Sequence, residues 1–136
     1  MGDIASASAT RIGKYTQSVA VRDHTVTVDE PVAHGGEDRG PTPQDLLAAS
    51  LATCTAITMG MYAQRKGWDI GDTTVSCSYT PAERGAPTKF DMTTSFPSSL
   101  SDEMVDRLKV IAAKCPVHRT LEGEVMFNEH VERHAS

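Results

Sequence analysis

Two cysteines stand where a thiol could act, in very different settings. Cys115 lies in AKCPVHRT, directly before Pro116. Proline pushes the residue before it out of the helical region, so Cys115 cannot extend a helix that precedes it. It fits the N-cap of a short helix with Pro116 at the first helical position. A sulfur there faces free backbone N–H groups and the positive end of the helix dipole. Both favour the thiolate and lower the thiol pKa. His118, at the third helical position, can add a donor or a positive charge. The same stretch reads equally well as a buried cysteine that only packs, and these residues leave both readings open.

Cys54 precedes Cys115 by 61 residues, deep inside an uncharged run, LLAASLATCTAITMGMYAQ. Three turns into a helix it gains nothing from that helix's own N-terminus. Among Leu47, Leu51, Ile57 and Met61, burial should raise its pKa. Read alone, Cys54 is a small hydrophobe in a packed helix, and to react it needs a cation from elsewhere in the fold. Cys77, between Val75 and Tyr79 in an alternating stretch, reads as core. A second chemistry deserves weighing: Cys115-x2-His118 followed by His130-x3-His134 imitates zinc-ligand spacing, but the first half is not a CxxC knuckle. Metal binding is therefore the weaker reading, and no metal or other cofactor is expected.

The elements that must position these residues fall into three blocks. Residues 5 to 31 alternate in polarity, with turns at Gly13 and Arg22-Asp23-His24, and predict two or three antiparallel strands. The segment PVAHGGEDRGP is irregular, rich in glycine and proline, and is expected to be mobile. A long helix follows. Thr42 is its N-cap, Pro43 suits the first position, and Asp45 can close a capping box. Gly67 ends it after Arg65 and Lys66. That gives about 24 residues, roughly 36 Å. The uncharged run raises the question of a membrane span, but its Ser, Thr, Gly and Gln residues make a poor one. A helix buried on nearly all sides is the better reading. One small sheet cannot cover so long a rod, which argues for a second chain.

The third block opens with strands near 75–79 and 90–96, separated by a turn at Glu83-Arg84-Gly85. A helix starts at Ser101 with the apolar stripe Met104, Val105, Leu108, Ile111 and Ala112, and Pro116 stops it. A short helix from Pro116 to Leu121 ends at Gly123, and EVMFNEHV is expected as a last strand. The order is that of an α+β fold, one domain over residues 1–136.

Composition narrows the partners. A chain of 136 residues with a net charge of −5 lacks the basic face a nucleic-acid binder needs. Three cysteines are too few for a secreted disulfide scaffold. The opening residues carry no signal-peptide pattern. MGDIAS fits a loose N-myristoylation pattern, but Asp3 and the lack of a second membrane signal make the match a coincidence. A soluble cytoplasmic protein is expected, without membrane or nucleic-acid partners, in which a cysteine pair is redox-active or metal-binding rather than structural.

The run GPTPQDLLAASLATCTAITMGMYAQRKGW, followed by KCPVHRTL, resembles the OsmC/Ohr family, and the resemblance extends over nearly the whole chain. It is closest to an OsmC-like branch with DEP, GG and GPTP before the helix. The resemblance implies an antiparallel sheet wrapping a long central helix in an intertwined homodimer. It also implies a thiol-dependent peroxidase that takes a small organic hydroperoxide and a dithiol reductant. Cys54 then corresponds to the peroxidatic residue. Cys115 corresponds to the resolving residue, which attacks the Cys54 sulfenic acid to form a disulfide.

The family also uses an arginine to hold the reactive thiolate and a glutamate to hold the arginine. Here the sequence departs. Gln44 stands at the glutamate position, with Asp45 adjacent but about 100° around the helix. Arg11, Arg22 and Arg39 are candidates for the arginine, and spacing does not choose between them. His34 stands where one branch carries its arginine. The departure leaves room for a different function, a non-catalytic module whose dimer groove holds a small apolar ligand.

Overall fold

The computed structural model describes residues 4–135. Met1-Gly2-Asp3, which open the myristoylation-like match, lie outside the described residues. The chain divides into two compact units. One comprises the residues up to Ser50 together with Ser76–Thr93, and the other Leu51–Val75 with the residues from Thr94 onward.

Three strands, β1 (Ser8–Arg11), β2 (Gln17–Val21) and β3 (His24–Val28), form an antiparallel meander in the first unit. Its register pairs Val19 with both Ala9 and Val26. The β2–β3 turn needs a left-handed residue, and Arg22 adopts it at φ 52°. The segment 31–41 is irregular, as its composition predicts, and contains a single 3-10 turn at Val32–His34. It is tied down rather than loose. The carboxylate of Asp29 is sealed from solvent and accepts from the Thr16 hydroxyl at 2.8 Å and the Glu30 and Arg39 amides at 2.8 and 3.2 Å. Gly36 and Gly40 let the loop close on this anchor: a Cβ on either would sit about 2 Å from the carbonyl oxygen of Glu30 or Thr27.

The long helix α1 spans Pro43–Lys66. The expected capping box is present. Asp45 N donates to Thr42 Oγ1 at 3.0 Å, and Thr42 N donates to the Asp45 carboxylate at 2.9 Å. Gly67, at φ 70°, ends the helix in the left-handed region. By length and composition alone α1 is long and apolar enough to cross a membrane, a test that core helices also pass. Its burial in this chain is instead confined to one stripe: Leu51, Thr55, Met59 and Ala63 are buried, while Ile57 and Met61 are exposed. The expectation of burial on nearly all sides is therefore not met within a single chain.

After α1 come β4 (Thr74–Thr80) and β5 (Lys89–Ser95), which make a second, two-stranded antiparallel sheet. On β4 the side chains of Val75, Cys77 and Tyr79 are the covered ones, as the alternation predicts. Helix α2 (Asp102–Ala112) is capped by Ser101, whose hydroxyl accepts from Met104 N at 3.2 Å. The core of the second unit gathers Met59, Leu100 and Leu108, with Tyr62, Trp68, Met104 and Val105 packed against them. Helix α3 covers Pro116–Glu122.

Residues 124–131 do not form the expected strand. A strand needs an edge to pair with, and among the described residues nothing pairs with this one. Its apolar residues stand in solvent, Met126 at 82% and Phe127 at 80% exposure. The architecture is α+β, with two small sheets in place of the single sheet expected.

Candidate functional site

The junction between α2 and α3 turns on one residue. The N–H of Cys115 donates to Ala112 O at 3.3 Å, closing α2, and its carbonyl accepts from Arg119 N at 3.1 Å, opening α3. Pro116 occupies the first turn of α3, and Cys115 is its N-cap with ψ 128°, outside the helical region. The sequence forces this arrangement, because the residue before proline cannot remain helical. The side chain is fully buried within the chain.

Cys54 lies on α1, half-buried, next to the stripe formed by Leu51, Thr55 and Met59. Its thiol and that of Cys115 lie close enough to shift each other's ionisation, and the three cysteines are free thiols. Sequence separation has become contact within the second unit.

The two thiols are driven in opposite directions. Burial pushes Cys54 up, and Cys115 pushes it further as hydrogen-bond partner and as negative charge; the Val117 amide and Thr58 pull the other way. Thr58 has one hydroxyl proton, however, and gives it to the Cys54 carbonyl at 2.7 Å, so it has none left for the sulfur. Burial also opposes a thiolate on Cys115. There the Cys54 thiol, the His118 amide, the Thr55 hydroxyl and the Val117 amide outweigh it, and the pKa falls below the ordinary thiol value. The sulfur makes no full capping hydrogen bond; the two amides act through their dipoles. Cys77 is pushed up by burial and by Asp91, which suits a packing role.

The remaining residues singled out in the sequence are placed as follows. His118 reaches Glu122 with its ring, Nε2 to Oε1 3.6 Å. What it offers Cys115 is its backbone amide, not its imidazole. Arg11, Arg22, Arg39, Gln44 and Asp45 belong to the first unit and are exposed. Arg11 Nε donates to Gly13 O at 2.9 Å. Arg22 sits in the β2–β3 turn, and the Arg39 backbone is bound to Asp29. Gln44 and Asp45 open α1, where Asp45 is engaged by its cap. His34 lies 3.9 Å from Glu30. Among the described residues no three His, Cys, Asp or Glu side chains converge as metal ligands would.

Residues 35–130 match the family model described as OsmC-like protein. The chain belongs to the OsmC-like family. No curated protein sequence matches it. Among solved structures, this OsmC-like chain is similar to a Psychrobacter arcticus 273-4 protein described as an osmotic stress induced and detoxification response protein. The TM-score is 0.73 at 25% identity, covering 88% of this chain and 90% of the other. An organic hydroperoxide resistance protein from Elizabethkingia anophelis matches with TM-score 0.68 and 22% identity, over 90% of this chain and 91% of the other. OhrB of Bacillus subtilis, also an organic hydroperoxide resistance protein, gives 0.62 and 21% over 89% and 92%. At those identities the last two show the shared fold.

Two parts of the OsmC-like site were not foreseen from sequence. One is Thr55, a hydroxyl on the buried stripe of α1 that helps to lower the Cys115 pKa. Its signal was a polar residue four positions after Leu51 and four before Met59. The other is the Val117 amide, which acts on both sulfurs, and a backbone group leaves no signature in side-chain types.

Proposed function

We propose that the protein is a thiol-dependent reductase of small organic hydroperoxides, with Cys54 peroxidatic and Cys115 resolving. The observation that carries this is that two thiols 61 residues apart in sequence come together in one unit, each shifting the other's ionisation. Neighbours of the same fold that are named organic hydroperoxide resistance proteins support it.

The roles need reconciling, since Cys115 is the thiol whose pKa is lowered. When the pair carries one proton, that proton sits on Cys54. Its transfer along the hydrogen bond leaves thiolate on Cys54 and thiol on Cys115. Cys54 Sγ then attacks the distal peroxide oxygen, the O–O bond breaks, and the alkoxide takes the proton of Cys115 to leave as alcohol. Cys115 is again the thiolate. It attacks the sulfur of the Cys54 sulfenic acid, forming the S–S bond and expelling hydroxide, which solvent protonates to water. A dithiol returns two electrons and restores both thiols. The departing charge needs no metal or cofactor in this scheme.

The working form is a homodimer. Ile57 and Met61 stand exposed on α1 at 56% and 58%, and Val125, Met126, Phe127 and Val131 are exposed beyond α3. Apolar surface of this kind is suited to burial against a second copy. The reading places the protein in the cytoplasm, where disulfides are transient and a dithiol reductant is at hand.

The assay is consumption of cumene hydroperoxide with a dithiol reductant. Cys54→Ser should abolish it. Cys115→Ser should allow one turnover and then over-oxidation of Cys54 to the sulfinic acid. Full activity in Cys54→Ser would overturn the assignment.

A further inference from the structure

A second site lies in the same unit as the thiol pair, at the far end of α1. An open groove of about 560 Å³ runs between the last turns of α1 and one face of α2. Its volume lies within the range of small-molecule sites. Tyr62 and Trp68 meet edge to face there, ring centroids 5.6 Å apart. Arg107 Nε donates to the Tyr62 hydroxyl at 3.0 Å. Its guanidinium carbon lies 5.6 Å from the Tyr62 ring centroid, and Lys66 Nζ lies 5.7 Å from the same centroid. Val110 adds an exposed apolar wall.

Two cations are thus gathered on one tyrosine, and like charges brought together repel. The usual remedy is a carboxylate, and two are near: Glu103 and Asp106 line the same groove. Yet among the described residues the ion pairs are His34–Glu30, Lys89–Asp91 and His118–Glu122. Glu103 is one helical turn from Arg107, the spacing at which such pairs form, and does not close on it. With Nε committed to Tyr62, the two terminal nitrogens of Arg107 remain as a planar fork suited to a carboxylate. The tyrosine and tryptophan offer an apolar body its contact surface. The two acids set the limit on charge, since they would repel a second negative charge.

We infer that this groove binds a monoanionic carboxylate with an apolar body, its carboxylate on Arg107 and Lys66 and its body against Tyr62, Trp68 and Val110. The site is separate in residues and chemistry from Cys54 and Cys115, so it stands whether or not the thiol pair reduces peroxides.

Trp68 is the single tryptophan of the chain, so its fluorescence reports on the groove directly. The probes are octanoate, its neutral counterpart octanol, and dianionic octyl phosphate, titrated into the intact protein. Octanoate should change Trp68 emission saturably, with the other two bound about tenfold more weakly, a difference of about 1.4 kcal/mol. Arg107→Gln should weaken octanoate by a similar factor, and Lys66→Gln, an exposed change that leaves the Tyr62 hydrogen bond in place, should also weaken it. Arg107→Lys should fall between wild type and Arg107→Gln. The inference is overturned by no saturable change with octanoate, by octanol or octyl phosphate binding as tightly, or by octanoate affinity unaltered in both Arg107→Gln and Lys66→Gln.

Discussion

A thiol and a thiolate in hydrogen-bond contact have one proton between them, and the surroundings decide which sulfur keeps it. Here they favour thiolate on Cys115, where the Cys54 thiol, two amides and the Thr55 hydroxyl together outweigh burial. Cys54, with burial and the charge of Cys115 against it, holds the proton. Such a pair titrates in two macroscopic steps. Thiolate absorbance followed against pH in a Cys77→Ala background should show the first step below the ordinary thiol range. Replacing Cys54 by Ala should leave a single step at higher pH, because its S–H donor is gone. Two steps both at or above the ordinary value would contradict this account. Sequence made the Cys115 half legible, since a Cys-Pro step implies an N-cap and an N-cap implies a dipole. It also gave the direction of the Cys54 shift, because a thiol inside an apolar run is desolvated. The contact between the two sulfurs was not legible from spacing or residue type, and rested on the resemblance until the chain was folded.

Elements whose ends carry their own chemistry were readable. The Thr42–Asp45 box, the Ser101 cap, Gly67 and Pro116 each satisfy or forbid a specific backbone group, so the boundaries of α1, α2 and α3 follow from local residues. Alternation of Val125, Phe127 and Val131 predicts a strand at 124–131, but a strand forms only where an edge receives it, and none forms here. The loop 31–41 is irregular, as its composition predicts, and is held by an anchor that its composition does not announce. Glycine and proline predicted irregularity, but its anchor, Asp29, lies outside the loop and carries no local signal. Burial opposes the Asp29 carboxylate, yet the Thr16 hydroxyl and the Glu30, Arg39 and Glu37 amides hold its pKa below the ordinary carboxylate value. A carboxylate whose folded pKa is depressed stabilises the protein above its unfolded pKa, and that stability is lost as pH falls through the folded value. Asp29→Asn should therefore have a lower urea midpoint than wild type at neutral pH. The gap should close as pH falls below about 4. A gap constant from pH 7 downward would show that the charge of Asp29 is not what anchors the loop.

At the scale of the whole molecule, the exposed residues of α1 and of 124–131 bear on assembly. Ile57→Glu changes an exposed position and should cost the single chain little, within about 0.5 kcal/mol. In the proposed dimer it places a charge in an apolar interface. Sedimentation should show wild type at twice 14.6 kDa and Ile57→Glu shifted toward the monomer. A stable, folded wild-type monomer at micromolar concentration would remove the dimer from the account. Whether Cys54 and Cys115 are a redox couple is decided by peptide mapping of peroxide-treated protein. Both sulfurs belong to one unit of one chain, and Pro116 fixes the backbone beside Cys115. An intrachain Cys54–Cys115 disulfide should form, with Cys77 left as a free thiol. Cys77 in the disulfide, or peroxide consumed with no intrachain disulfide formed, would contradict it.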